Sequence, residues 1–284
     1  MLNLRPMKLL TGTILLVVLG QTCPAQFYYK DLVVSGQTAA RWKSYKENKV
    51  RNVTLTSFER DEQPSEGFEC EQEVSGDGTR ITTHTRSTGT PESWLIAHYS
   101  PAGLPVLTVD TSDTYNSTSE YQYDASGRIA SISNTSLETD NKIRDVEVHL
   151  WQYDDKGRPS RMLKIRNGAD TTYIRLTTDE KGNISEERAT HNRMELPTVY
   201  YYYDADNRLT DIVRYSVRAK RLLPDYVFEY SGDKLASMMV VQESGANYQK
   251  WLYEYNDKGL KANESCYNKQ KQLIGKVHYQ YSTK

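Results

Sequence analysis

The stretches YQYDASGRI (residues 121–129), WQYDDKGRP (residues 151–159) and YYYDADNRL (residues 201–209) repeat one pattern. Each begins with an aromatic residue and has a tyrosine two positions later, followed directly by an aspartate. A glycine or asparagine and then an arginine come three and four positions after that aspartate. We name the tyrosine before the aspartate the marker tyrosine. Residues two apart lie on one face of a β-strand, and glycine and asparagine tolerate the positive φ of a tight turn. The pattern therefore predicts a β-hairpin turn between two strand ends.

The pattern recurs along most of the chain. The marker position is taken by Tyr99, Tyr123, Tyr153, Thr178, Tyr203, Tyr230, Tyr255 and Tyr281, and the turn residue four positions later by Gly103, Gly127, Gly157, Gly182, Asn207 and Gly259. After the turn, apolar residues follow at a step of three, as at Ile129 and Ile132. A step of three breaks strand alternation, so either a β-bulge is present or the first apolar residue belongs to the turn. Each unit is predicted to be one hairpin.

An aromatic row precedes most marker positions by two residues. Its members are Tyr121, Trp151, Tyr201, Phe228, Tyr253 and Tyr279. In a sheet these side chains would share one face with the markers. The row is either the buried layer of the sheet or, in part, a groove whose rings stack on sugars or grip an extended peptide. These six residues are the candidate binding residues.

The repeated units resemble the YD-repeat family, which includes Rhs proteins, the shells of bacterial insecticidal toxins and teneurins. The resemblance rests on the three stretches above and on the weaker YSPAGLP, TDEKGNI, FEYSGDKL and YEYNDKGL. It implies an all-β fold, an antiparallel meander of hairpins that forms a curved, open or partly wrapped sheet. It also implies a small stand-alone secreted member of Bacteroidetes type, and it is uninformative about activity.

The first 25 residues have the features of a secretory signal. Arg5 and Lys8 precede an apolar run over residues 13–19 that is too short for a membrane span, and small residues follow. We predict cleavage after Ala25 and release into the periplasm or the medium. The alternative is a lipoprotein anchored through Cys23, although the residues around it fit a lipobox poorly. No transmembrane span is predicted after signal removal.

Residues 26–93 are less regular and are predicted to form an N-terminal capping region ahead of the repeats at 94–284. A short helix is expected at 38–49, a strand at 50–58 and a hairpin around residues 76–78. Residues 86–93 are expected to link this region to the repeats. The capping region should protect the first edge of the sheet from pairing with another chain.

Composition limits the classes of partner. The chain has 36 Lys+Arg and 37 Asp+Glu, and its basic residues are scattered, which argues against a nucleic-acid partner. Only 37% of residues are hydrophobic, but 22 are tyrosines and 4 are tryptophans, which favours a thin buried layer of aromatic faces. The partner is predicted to be an envelope glycan or another protein.

Two cysteines remain after signal removal, Cys70 and Cys266. In an oxidising compartment they could form a disulfide between the N-terminal region and the last repeats. The alternative is two separate buried thiols, each packed as a small apolar group. The sequence leaves both open.

Residues with catalytic or metal-binding spacing are scarce. His84, His98, His149, His191 and His278 fall in separate units without the spacing of a metal site, so no metal or cofactor is predicted. Carboxylate pairs such as Asp154 and Asp155 are adjacent in sequence, and strand geometry would send them to opposite faces. We therefore predict no catalytic residues and a non-enzymatic binding or scaffold role in the bacterial envelope. The alternative is an envelope glycan hydrolase that draws its acid and base from different strands.

Overall fold

The computed structural model describes residues 27–112, 115–139, 142–217, 219–242 and 247–283. The predicted signal peptide, its cleavage site and Cys23 lie outside the described residues. One helix, α1 (Lys30–Glu47), precedes the strands. The strands are β1 (Val50–Phe58), β2 (Glu69–Val74), β3 (Arg80–Ser87), β4 (Thr90–Tyr99), β5 (Pro105–Ser112), β6 (Tyr115–Tyr123), β7 (Ile129–Glu138), β8 (Arg144–Tyr153), β9 (Pro159–Arg166), β10 (Asp170–Thr178), β11 (Ile184–His191), β12 (Met194–Glu195), β13 (Val199–Tyr203), β14 (Leu209–Ser216), β15 (Arg221–Ser231), β16 (Lys234–Val241), β17 (Tyr248–Tyr255), β18 (Lys261–Asn268) and β19 (Leu273–Thr283).

The sheet closes on itself as an antiparallel barrel. Successive strands pair as hairpins, and β1 pairs with β2 on one side and with β19 on the other. At the seam, Val53 lies opposite both Tyr281 and Gln72. Eighteen strands make the ring, and the two-residue β12 pairs only with β11 among the described strands. The prediction of an open or partly wrapped sheet is therefore wrong. Closure occurs because pairing β1 with β19 satisfies the backbone groups that two free edges would leave unpaired.

The region before the repeats also differs from prediction in two places. The helix begins at Lys30 rather than at residue 38, although Val33, Val34 and Gly36 are weak helix formers. Its first residues are held by contacts with the barrel, and such packing outweighs propensity. Residues 86–93 are not a link, because β3 and β4 pair directly around a turn with Gly89 at φ 79°. The strand at 50–58 is confirmed as β1.

A β-bulge lies beside the marker tyrosine and explains the step of three. In β6 and β7, Tyr121 lies opposite Ile132 and Tyr123 lies opposite Ile129, with the register shift between them. The extra residue lets Ile129 and Ile132 both face inward. The predicted positive φ is confirmed at the turn residues, for example 76° at Gly157 and 60° at Asn207.

The two faces of the barrel wall differ in composition. Inward positions carry the apolar core, in which Met162, Ile212 and Val53 are fully buried. Outward positions carry charged residues that pair across strands, as Lys250 of β17 does with Glu229 of β15 at 2.8 Å, over the intervening β16. The hydrophobic layer of the fold therefore lies inside the barrel. No helix among the described residues has both the length and the apolarity to cross a membrane.

Residues 27–47 lie across the interior near the end of the barrel where the marker turns are found, which we name the turn end. At one side of this end, Phe27 packs edge-on against Tyr201 and Tyr226. At the other side, the Trp42 indole donates to the Gly78 carbonyl and packs on Gly103, where a Cβ would come within 2.2 Å of its ring. An 18-residue helix is about 27 Å long, enough to join the two walls.

Candidate functional site

The aspartate carboxylate of a marker turn accepts hydrogen bonds from residues of its own turn. In the unit at 123–128, Asp124 Oδ1 accepts from the backbone N–H groups of Ser126 and Arg128, at 2.9 Å each. Its Oδ2 accepts from Arg128 Nε at 2.7 Å. These bonds, the arginine side chain first, lower the pKa of Asp124. Asp154 and Asp204 make the same bonds with Arg158 and Arg208.

The hydroxyl of the marker tyrosine ties its hairpin to the preceding one. Tyr153 donates to the Ile129 carbonyl at 2.9 Å, at the start of the preceding return strand. Four other markers donate to the corresponding carbonyl of their own neighbour: Tyr123 to Pro105, Tyr230 to Leu209, Tyr255 to Leu235 and Tyr281 to Lys261. Each such bond satisfies a backbone carbonyl at a strand end.

At three of the described marker rings, a cation from the preceding unit covers the ring, a contact that we name the arginine bridge. The Arg128 guanidinium lies 4.4 Å from the centre of the Tyr153 ring, and Arg208 lies 4.8 Å from that of Tyr230. Lys234 takes the same position over Tyr255 at 5.8 Å. Such cation–π contacts add to the ion pair with the turn aspartate. The repeated residues therefore join neighbouring hairpins.

The six residues of the aromatic row all face the interior. Trp151 and Tyr201 are 6% and 3% exposed, and the other four are half-buried against the two core clusters. Between successive members stand apolar residues of the return strands, such as Ile132, Met162 and Met238. The row thus runs around the inner face of the barrel without forming a continuous stack. Its rings supply the barrel's main apolar layer.

Buried Glu187 holds the start of the described chain, a contact that the sequence analysis missed. Its carboxylate accepts from the backbone N–H groups of Tyr28 and Tyr29 and from the Tyr201 hydroxyl, each at 2.9 Å. Burial raises the pKa of Glu187, and the two backbone hydrogen bonds partly offset that rise. The signal for this role was present, since Glu187 takes an inward position opposite Leu176 and Val199.

A second buried network fixes the first turn of α1. His149 lies between Asp31, at 2.6 Å from Nδ1, and Glu147, at 2.8 Å from Nε2. Lys164 pairs with Glu147 at 2.7 Å, and the Trp151 indole donates to Asp31 at 3.1 Å. These groups come from strands β8 and β9 and from the helix, so sequence spacing could not bring them together. The alternation of Glu147, His149 and Trp151 was the available signal for a shared inward face.

The charged groups of this network shift the pKa values of His149 and Glu147. Burial alone would lower the pKa of His149, but hydrogen bonds and charges from Asp31 and Glu147 outweigh it and raise the pKa to about 9. Burial alone would raise the pKa of Glu147, but His149 and Lys164 lower it to about 2. His149 and Glu147 are therefore both charged near neutral pH, and each charge is stabilised by the hydrogen bonds of the other.

A cleft of 420 Å³ opens on the barrel between the turns at 179–183 and 204–207. It lies where β11 and β13 share only two residue pairs, Glu186 with Tyr200 and Glu187 with Val199. Its lining residues are Asp179, Lys181, Asn183, Ser185, Glu186, Tyr200, Tyr201, Tyr202, Tyr203, Asp204 and Asn207. It combines aromatic rings, amides and carboxylates, so it can bind a polar ligand by stacking and hydrogen bonding.

Cys70 and Cys266 are both buried free thiols. Cys70 lies on β2 and Cys266 on β18, so β19 and β1 stand between them. Three strand steps of about 4.8 Å place them about 14 Å apart along the sheet, beyond the ~7 Å limit between Cα atoms of a disulfide. The disulfide is therefore not formed, and the alternative of two packed thiols describes the structure.

The five histidines have separate surroundings. His84 stacks on Trp94 at 4.1 Å on the outer face, and His278 Nδ1 donates to Asn263 Oδ1 at 2.9 Å. Within the described ranges, no group of three or more His, Cys, Asp or Glu side chains is placed to hold a metal ion.

No family model matches this sequence, and no curated protein matches it. Among solved structures, a porin-like protein from Bacteroides uniformis has 11% identity, covers 82% of this chain and 98% of its own, and has a TM-score of 0.39. A porin-like protein from Bacteroides vulgatus has 12% identity, the same two coverages and a TM-score of 0.29. TcdB2-TccC3-TEV has 10% identity over 84% of this chain and 17% of its own, with a TM-score of 0.30. Likenesses this weak support no functional assignment, so function must be argued from the geometry of this chain.

Proposed function

We propose that the chain is a secreted or periplasmic β-repeat protein of the bacterial envelope with a non-enzymatic scaffold and binding role, as its resemblance to YD repeats implies. The observation that carries the proposal is that the repeated residues make structural contacts within and between hairpins. The arginine bonds to the aspartate of its own turn and lies over the marker ring of the next hairpin, and the marker tyrosine donates to a carbonyl of the preceding hairpin. These residues recur because each hairpin needs the same contacts to pack on its neighbour, as in other stacked repeat proteins.

The outer face supports a protein that works in water. Charged side chains occupy outward positions and pair there, Arg86 of β3 with Glu69 of β2 and Arg188 with Glu186 along β11. The buried apolar side chains lie in the interior, and the large apolar side chains exposed outside include Leu150, Tyr173 and Leu252. This distribution fits the periplasm or the external medium, because charged groups are stable where water solvates them.

The carboxylates of the cleft favour binding over hydrolysis. A glycan hydrolase needs one carboxyl group whose pKa is raised so that it can donate a proton. In the cleft, hydrogen bonds from Arg208 lower the pKa of Asp204. At Asp179, burial acts to raise the pKa, but the bonds from Asn183 outweigh it and the net shift is downward. Both groups are suited to accept hydrogen bonds and to attract cations.

We assign the aromatic row to the barrel wall rather than to a ligand groove. Tyr121, Trp151, Tyr201, Phe228, Tyr253 and Tyr279 pack inside with the core, whereas Tyr200 and Tyr202 of the cleft point outward. Tyr202 is 47% exposed. Tyr200 and Tyr202 are therefore better placed for a partner than the aromatic row, of which only Tyr201 lines the cleft, and the marker Tyr203 lines it too.

Two measurements test the proposal. The full chain, expressed in a Gram-negative host, should be recovered from the periplasm or medium with an intact mass that starts at Gln26. A mass that fits a diacylated Cys23 would contradict release and support the anchored alternative. Purified peptidoglycan incubated with the protein should release no more soluble fragments than buffer does, with lysozyme as positive control. Release that disappears in Asp204→Asn would assign hydrolysis to the cleft and overturn the non-enzymatic role.

A further inference from the structure

The cleft lies at a hairpin unit that lacks the arginine of the repeated pattern, as do the units that have Leu104 and Leu260 at that position. Thr178 stands at the marker position, and Asn183 stands where Arg128, Arg158 and Arg208 stand in other units. Asn207 replaces the glycine of the following turn. Asn183 and Asn207 both line the cleft. The cavity therefore coincides with the position at which the chain has a shorter, uncharged side chain.

Other units show what fills this position. Arg128 lies between its own turn aspartate and the next marker ring, with its Nη2 at 2.6 Å from Asp124 and its guanidinium carbon 4.4 Å from the Tyr153 ring centre. It also crosses the next turn, because a Cβ at Gly157 would lie 2.9 Å from Nη1. Arg208 repeats the arrangement with Asp204, Tyr230 and the Gly232 carbonyl. The chain therefore contains filled copies of the same site.

At the cleft, the turn aspartate Asp179 and the next marker Tyr203 are present, but Asn183 takes the place of the arginine between them. Asn183 Nδ2 donates to Asp179 Oδ2 and to Asn207 Oδ1, at 3.1 Å each, and so lies against the two turns. In the described part of the chain, none of the cation–ring contacts involves Tyr203, and none of the ion pairs involves Asp179. Tyr203 packs against the core cluster and Asp179 accepts from Asn183, but both residues also line the cleft, where an external group can reach them.

We propose that this cleft binds the guanidinium group of an arginine side chain on a partner protein, completing the arginine bridge from outside the chain. The planar guanidinium can bond to the Asp179 carboxylate at its edge and stack on the Tyr203 ring with its face. Asp204 and Glu186 also line the cleft and add negative charge, although each is already paired with an arginine of this chain. Lys181, exposed at the rim, is the positive charge that would repel a guanidinium. The inference rests on the proposed binding role and names the chemistry of the partner.

The first experiment titrates ¹⁵N-labelled full chain with N-acetyl-arginine amide, which carries one guanidinium and no carboxylate. The expected result is a saturable shift of the amide signals of residues 179–183 and 204–207 at millimolar ligand. N-acetyl-citrulline amide has the same shape without the charge, and should bind at least about fivefold more weakly. Equal affinity for the two ligands would overturn the proposal, as would shifts caused by a neutral disaccharide at the same residues and none by the arginine ligand.

Variants locate the site. Asn183→Arg should fill the cleft from within and abolish the shifts, whereas Asn183→Gln should retain them. Undiminished binding by Asn183→Arg would overturn the proposal. If that variant does not fold, Arg128→Gln provides the reverse test, because it should create a second site whose ligand shifts appear at residues 154–157. A lack of new shifts there would contradict the mechanism. Either negative result leaves the secretion and peptidoglycan results unchanged, so the two proposals fail separately.

Discussion

At the scale of single residues, the marker turns contain both a predictable and an unpredictable part. Positive φ at Gly157 and the role of Asp154 in its own turn follow from local turn chemistry, and the sequence predicted both. The contact of Arg128 with Tyr153 could not be predicted from local turn chemistry. It joins two hairpins through space, and its geometry depends on the register between strands.

Gly157→Val should destabilise the barrel, because valine is strained at φ 76° and its side chain would also meet the Arg128 guanidinium. We expect a loss of roughly 1–3 kcal/mol in the free energy of unfolding. Ser160→Val on β9 is the control, since a β-branched residue suits a strand and should change stability far less. Denaturant unfolding of both variants measures the difference. Equal midpoints would show that the turn does not require glycine.

At the scale of elements, the helix was predicted in type but not in extent or position. Helix formers at 38–49 gave the signal, whereas the start at Lys30 depends on bonds made to Glu187 and His149 on distant strands. Sequence reasoning described the aromatic row correctly as one face of the strands. Whether that face is inside or outside depended on the direction in which the sheet curves, which local pattern does not encode.

Trp151→Ala tests the position of the row. Trp151 is 6% exposed and bonds to Asp31 of the helix, so its loss leaves a cavity and a buried carboxylate without one donor. We expect a cost of about 3–5 kcal/mol, measured by thermal or denaturant unfolding. Trp94→Ala is the matched control because Trp94 is 42% exposed on the outer face. A cost for Trp151→Ala as small as that for Trp94→Ala would contradict an inward-facing row.

The network around His149 predicts how stability depends on pH. The folded pKa of His149 is about 9 against an ordinary value of 6.5, so its contribution is full below pH 6.5 and is lost as pH rises towards 9. The folded pKa of Glu147 is about 2 against 4.5, so its contribution is full above pH 4.5 and is lost as pH falls towards 2. The melting temperature should therefore be highest between about pH 4.5 and 6.5.

His149→Gln isolates the alkaline part of this profile. Its melting temperature should fall less steeply than that of the unchanged protein between pH 6.5 and 9, because the titrating group has been removed. His98→Gln, on β4 outside the network, should retain the original slope. Parallel profiles for all three proteins would show that His149 does not carry the dependence.

At the scale of the whole molecule, closure is the feature that the sequence did not reveal. The number of hairpins and their antiparallel order were readable from turn spacing. Pairing of β1 with β19 was not, because it depends on the twist and curvature summed over all the intervening strands. The resemblance to large shells also favoured an open arrangement for so short a chain. The same closure brings Cys70 and Cys266 to within three strand steps of each other, which is still too far for a disulfide.

Thiol titration checks that arrangement. Purified without reductant and then unfolded, the protein should show both Cys70 and Cys266 as free thiols. In the folded protein both should react slowly, since burial raises the pKa of the Cys266 thiol to about 12 and also raises that of Cys70. Fewer than two thiols after unfolding would indicate a disulfide, and thus a strand order around the seam different from β18, β19, β1 and β2.

The seam between β1 and β19 also sets an order of events in folding. A chain that emerges from its N-terminus can pair each hairpin with the one before it as soon as both are present, and the marker tyrosines reinforce each step. The free edge of β1 must wait for β19, whose residues come last in the described chain. Contacts of such long sequence separation form slowly. During that delay the exposed edge can accept a strand from a second copy, so the rate of barrel closure competes with intermolecular strand exchange.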